Sequence, residues 1–119
     1  MFGKRQLFDV QYFRRLCIRP FFSLVVQHSE KDREFFIELK DQQGTRTKAY
    51  LRYAPLQRGL DLRSTVVPPA FEGQGIAKIL AKAAFDHCAE NDLKMKLTCW
   101  YLDGYLKRHP EDKYTKLVM

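Results

Sequence analysis

Apolar positions alternate one by one through the first half of the chain, then recur at helical spacing in the second. Leu24 to His28 reads as a short strand. From Arg33 to Lys40, Phe35, Ile37 and Leu39 alternate with Glu34, Glu38 and Lys40, the pattern of a half-buried strand. Asp41-Gln42-Gln43-Gly44 supplies a hairpin turn. Thr45–Tyr53 runs back with Ala49, Leu51 and Tyr53 on one face, and Pro55–Gly59 reads as a loop. Leu60–Val67 is a further strand with Leu60, Leu62, Ser64 and Val66 on one side, ended at Pro68, which has no donor for a ladder. Gly75–Glu90 is the main helix, with Ile76, Ile79, Leu80, Ala83, Ala84 and His87 as its apolar stripe. Lys78, Lys82 and Asp86 form its wet face, and Asn91-Asp92 stops it. Met95–Cys99 is a strand and Trp100–Arg108 a short helix that stops before Pro110. Trp100 is assigned to the core.

Antiparallel strands followed by helix, strand and helix predict an α/β protein with a mixed (α+β) sheet. A strand–helix–strand step with short connections crosses over, so Leu60–Val67 and Met95–Cys99 are expected to be parallel neighbours. The segment between them holds the candidate chemistry. A β-branched strand (Thr65, Val66, Val67) meets two prolines, then Gly73-Gln74-Gly75, and a helix begins almost at once. Backbone N–H groups at a helix start have no intrahelical acceptor, and the helix dipole favours an anion there. This is a phosphate cradle. It is not a Rossmann fingerprint, because Gly73-Gln74-Gly75 is followed by Lys78 where a third glycine belongs. No Walker sequence GxxxxGK[ST] occurs either, which removes kinase and GTPase readings.

The 119 residues make one domain. No apolar run approaches the ~20 residues needed to cross a bilayer, so no membrane role is expected. Cys17, Cys88 and Cys99 are an odd number without a CxxC or Cys/His cluster, which points to an intracellular protein with reduced thiols and no metal site. The net charge of +7 is uneven: residues 1–19 hold Lys4, Arg5, Arg14, Arg15 and Arg19 against Asp9 alone. An Arg-rich, acid-poor start interleaved with apolar residues suits mitochondrial targeting, although the usual serines are missing; the alternatives are a nucleic-acid arm or a plain surface tail, with a cytoplasmic location.

One further pattern narrows the choice. Glu72-Gly73-Gln74-Gly75-Ile76-Ala77 follows the acyl-CoA loop [QR]-x-x-G-x-[GA] at its last two fixed positions and departs at the first. Together with Thr65-Val66-Val67-Pro68, Leu97-Thr98-Cys99-Trp100-Tyr101 and Arg108-His109-Pro110-Glu111, it resembles the small, single-domain YjdJ-type GNAT N-acetyltransferases over roughly residues 24–118. The resemblance implies a minimal GNAT fold over residues 23–119 behind a basic extension over 1–22. In that fold the parallel strand pair splays apart, one main helix follows the glycine loop and a short helix lies near the C-terminus. It implies acetyl-CoA as co-substrate and an amine acceptor. By position, the backbone of Gly73, Gln74, Gly75, Ile76 and Ala77 would hold the pyrophosphate, with Lys78 near a phosphate. Val67 would pair with the pantetheine arm, and an N–H near Val66 or Val67 would polarise the thioester carbonyl. Cys99 would act as proton donor or acyl acceptor, and Tyr101 and Tyr105 would reach toward the cofactor. His28 matches a histidine of the relatives and is read as structural; His87 is read as core.

The chain also departs from these relatives, which read His-Thr-Glu-Val before the proline where this sequence has Ser64-Thr65-Val66-Val67. A histidine and an acid are therefore missing, and Glu72 replaces an Arg or Gln beside the pyrophosphate. These departures keep a second reading open, a non-catalytic acyl-CoA-binding module or sensor. A third is a nucleic-acid binder built on Phe35, Phe36, Tyr50 and Tyr53 among Arg33, Arg46 and Arg52. The remainder of the chain carries only +3 outside the first 19 residues, which disfavours it. The acceptor amine, the acyl preference and the oligomeric state are not legible.

Overall fold

The computed structural model describes residues 5–7 and 24–119. The other residues of the basic extension, on which the targeting expectation rests, lie outside them. Six strands form one sheet in chain order: β1 (Arg5–Leu7), β2 (Val25–Ser29), β3 (Glu34–Lys40), β4 (Arg46–Leu56), β5 (Gly59–Val66) and β6 (Lys94–Leu97). All neighbours are antiparallel except β5 and β6, which are parallel as expected. A 3-10 turn (Pro69–Phe71) and helix α1 (Ile76–Glu90) form the crossover between them. Helices α2 (Trp100–Arg108) and α3 (Asp112–Thr115) follow, the last of them unforeseen in the sequence pattern.

The alternation of β3 and β4 builds the core as read. Phe35, Ile37 and Leu39 meet Ala49, Leu51 and Tyr53 on one face, and Ile76, Ile79, Leu80, Ala83, Ala84 and Phe85 of α1 cover them. Alanines at two of these helix positions let α1 approach the sheet closely. Phe85 also meets the rings of Tyr105 and Tyr114 at 6.2 and 5.4 Å, so α2 and α3 lie on the same side. Among the described residues, the opposite face of the sheet carries no helix.

Four expectations are corrected. Residues 55–59 are not a loop, because β4 runs on to Leu56 and returns at Gly59 through Gln57-Arg58. Pro55 is tolerated there because β3 ends opposite Arg52, so its missing donor faces no neighbouring strand. The pairing of β4 with β5 slips between Arg52/Tyr53, where Arg52 faces Ser64 but Tyr53 faces Leu62. Arg63 is the extra residue, and it reverses the alternation beyond it. Thr65 and Val67 therefore turn inward, and Val66 turns outward at 42% exposure instead of sharing a side with Leu60 and Leu62. Strand β6 stops at Leu97, leaving Cys99 as the N-cap of α2. Trp100 is not core: it is 84% exposed, because α2 buries the Leu102 and Leu106 face.

Candidate functional site

Strands β5 and β6 stay paired from Gly59↔Lys94 to Leu62↔Leu97 and then part. The bulge at Arg63 turns β5 away, while the chain after Leu97 bends at Cys99 into α2. The Cys99 N–H still donates to Leu62 O at 2.9 Å, which fixes where the gap opens. The glycine loop and the start of α1 face this gap. Gly73 and Gly75 both have φ +80°, a left-handed backbone that glycine adopts without strain. Gly75 is the N-cap of α1; no side chain caps the helix and no acid lies in its first turn. The helix itself offers no acceptor to the amides of Gly75, Ile76 and Ala77, since its first backbone bond runs from Ile79 N–H to Gly75 O at 3.2 Å.

A cleft of about 260 Å³ lies at this helix start. Its walls are Val67 and Phe71 from the strand side, Gly73, Gly75, Ile76, Ala77 and Lys78 from the loop and first turn, and Tyr101 from α2, with Glu72 also lining it. The sequence-derived candidates that meet here are thus Val67, Gly73, Gly75, Ile76, Ala77, Lys78 and Tyr101. Gln74 is half-buried in the loop but off the walls, and Val66 points away from them. Tyr105 sits one turn beyond Tyr101, stacked on it at 6.3 Å and continued by His109 at 5.0 Å. It supports the cleft residue from behind. Cys99 is buried between the parted strands, its Sγ 3.6 Å from Thr65 Oγ1. Glu72 is exposed, so its carboxylate is free to turn toward solvent.

Asp61 was missed in the sequence because it stands at an outward position between Leu60 and Leu62. It is nonetheless buried, one rung below the point where β5 and β6 part. Its carboxylate accepts a hydrogen bond from Thr98 Oγ1 and lies 3.4 Å from the Arg63 guanidinium. The only cue was its place on the strand that enters the glycine loop.

The histidines lie elsewhere. His28 is buried, stacked on Phe35 at 4.3 Å and bonded through Nε2 to Tyr53 Oη, with His87 edge-on at 4.7 Å. Burial pushes the Tyr53 phenol up to about 12, with Glu30 adding to the rise. This is a packed aromatic cluster on the α1–sheet interface, as expected for His28; His87 is half-buried at its edge. Among the described residues, no group of three or more His, Cys, Asp or Glu is placed to hold a metal ion. No helix among them is long and apolar enough to cross a membrane.

Comparison with known proteins finds relatives along most of the chain. The family described as GCN5-related N-acetyl-transferase matches residues 34–117. The protein named NATD1 from Xenopus tropicalis is 45% identical over 80% of this chain and 85% of its own length. Those from Danio rerio and Homo sapiens are 42% and 44% identical, over 81% and 75% of this chain and 86% and 77% of their own lengths.

Proposed function

Because the chain belongs to the GCN5-related N-acetyl-transferase family, we propose that it transfers an acetyl group from acetyl-CoA to an amine. One observation carries the reading: an uncapped, glycine-led helix start opens onto a cleft where two parallel strands part. The residues present fit a phosphate-bearing thioester. Amides of Gly75, Ile76 and Ala77 would hold the diphosphate, aided by the helix dipole, and the open space around Gly73 would let backbone approach it closely. Val67 and Phe71 cover an apolar arm, and the parted edge of β5 offers it backbone hydrogen bonds. Bound acetyl-CoA supplies an activated acyl group. The chain's own work is to orient it, exclude water and move protons. An N–H of Val66 or Val67 would polarise the thioester carbonyl; Pro68 and Pro69 have none to give. The thiol of Cys99 and the phenol of Tyr101 are the proton donors for the departing sulfur. The basic first nineteen residues support a mitochondrial destination.

A non-catalytic acyl-CoA sensor is the competing reading, and Val66 at the relatives' acid position favours it. Titration calorimetry of the full chain with acetyl-CoA and with CoA tests both. Ala77→Glu places a negative charge on the phosphate wall at a helix start that tolerates acids, so fold stability is retained. Binding at least tenfold weaker in Ala77→Glu, with an unchanged melting temperature, supports the cofactor site; equal binding in both overturns it. Tyr101→Phe then separates enzyme from sensor. Amine acetylation reduced about 10²-fold or more, at unchanged acetyl-CoA affinity, is the result expected of a proton donor. A wild-type chain that binds acetyl-CoA but acetylates none of a panel of amines makes it a sensor.

A further inference from the structure

The face of the sheet away from the helices has a composition of its own. Register places Lys40, Arg46, Lys48, Arg52, Lys94 and Lys96 on it, together with the bulged Arg63. Against these seven cations stand three carboxylates, each engaged within the face. Glu34 is held by Lys48 and Arg52, Glu38 by Gln27, and Asp61 by Thr98 and Arg63. Residues 20–119 contain sixteen Lys and Arg and thirteen Asp and Glu in all. This one face therefore concentrates the positive charge of that part of the chain and leaves the rest slightly acidic.

Its centre is a row of three side chains across neighbouring strands, Phe36, Tyr50 and Val66. The Lys48 ammonium lies 5.4 Å from the Phe36 ring and 5.7 Å from the Tyr50 ring, and the Arg52 guanidinium lies 4.6 Å from the Tyr50 ring. Cations already occupy the ring faces on which nucleic-acid bases would stack. The other two aromatics of that reading, Phe35 and Tyr53, are in the core. What the face presents outward is charged nitrogen around an apolar strip, with Val66 at 42% exposure. Carboxylates pair with such nitrogens, while a second copy of this face would repel it. The chain's own segment 8–23 carries Arg14, Arg15 and Arg19 and has the wrong sign as well.

We propose that this outer face docks an acidic polypeptide, an Asp/Glu-rich segment whose apolar residues cover Phe36, Tyr50 and Val66. The inference does not depend on acyl transfer. It is tested with the full chain and a fluorescein-labelled peptide of alternating Glu and Leu, read by anisotropy. Arg46→Glu with Lys96→Glu reverses two exposed charges without touching the Glu34 pair. Affinity is expected to fall about tenfold in that variant and about tenfold again in the wild type at high salt. Lys107→Glu with Lys113→Glu, on the helical side, should leave it unchanged. An equal loss in the helical-side variant would show mere net-charge attraction and overturn the proposal. Equal loss on reversing Arg14 and Arg15 would assign the peptide to the N-terminal segment instead. Tighter binding of oligo-dT than of the peptide would make the partner a nucleic acid. A dimer in sedimentation that dissociates in the Arg46/Lys96 variant would make the face a contact between copies.

Discussion

Cys88 is fully buried on α1, and burial alone pushes its thiol from 9.0 up to about 12. A raised pKa on an acid means that the folded chain holds its proton longer than the unfolded chain does. The associated stability is complete below pH 9 and is lost as pH rises from 9 toward 12. One unit above the unfolded value, at pH 10, the loss is about 1.4 kcal/mol. Urea unfolding at pH 8, 9 and 10 should show this fall in the wild type. Cys88→Ala should start from lower stability but lack the first part of the fall; parallel curves would refute the assignment. The single-residue scale is also where sequence reading was weakest. Glu34 sits at a polar position of a clean alternation, yet it is 2% exposed. The long side chains of Lys48 and Arg52 reach over from β4 to pair with it. Alternation tells which face a side chain leaves from, and says nothing of what its neighbours then lay across it.

Among the elements, the parallel pair β5–β6 decides whether there is a site. Gly59 is its first rung, and a Cβ there would lie 2.1 Å from the Lys94 carbonyl oxygen. Neither atom belongs to a flexible side chain, so backbone must move. Gly59→Ala should cost at least about 2 kcal/mol in chemical denaturation. It should also weaken ligand binding at the distant glycine loop, because both walls of the cleft hang from this pair. Full stability in Gly59→Ala would mean that the strands shift apart without cost. The crossover itself was legible: a β-branched run, prolines, glycines and a 3.6-residue apolar period follow one another in order. The glycine loop was legible for the same reason, since only a left-handed turn onto a helix start needs Gly73 and Gly75 so close together. The bulge at Arg63 was not. One extra residue leaves every hydrophobic in place and inverts the faces beyond it, so Val66 was read inward and Thr65 outward. Trp100 was misread because a large apolar residue at the first position of a helix can lie off its buried stripe.

At the scale of the whole molecule, the C-terminal tail closes the sheet. Tyr114 is buried against Phe85 and donates its hydroxyl to Asp86, whose carboxylate helps to keep the phenol protonated well above its usual range, after burial itself. Leu117 is buried beside it. The backbone then lies along the free edge of β6: Met95 N–H donates to Leu117 O, and Met119 N–H donates to Met95 O, each at 2.8 Å. The last residues thus protect an edge that would otherwise pair with another chain. Two variants grade this role. Tyr114→Phe keeps the ring and removes the hydroxyl's hydrogen bonds to Asp86 and Lys82, so it should cost about 1–3 kcal/mol. Deleting residues 113–119 removes two buried side chains and uncovers the edge of β6. That loss, of more than about 4 kcal/mol, approaches the whole stability of a domain of this size. The truncated chain should therefore melt at much lower temperature and self-associate in sedimentation, while Tyr114→Phe stays monodisperse. A truncated chain as stable as the full one would show that α1 alone holds the helical layer, and that the tail contributes nothing to the fold.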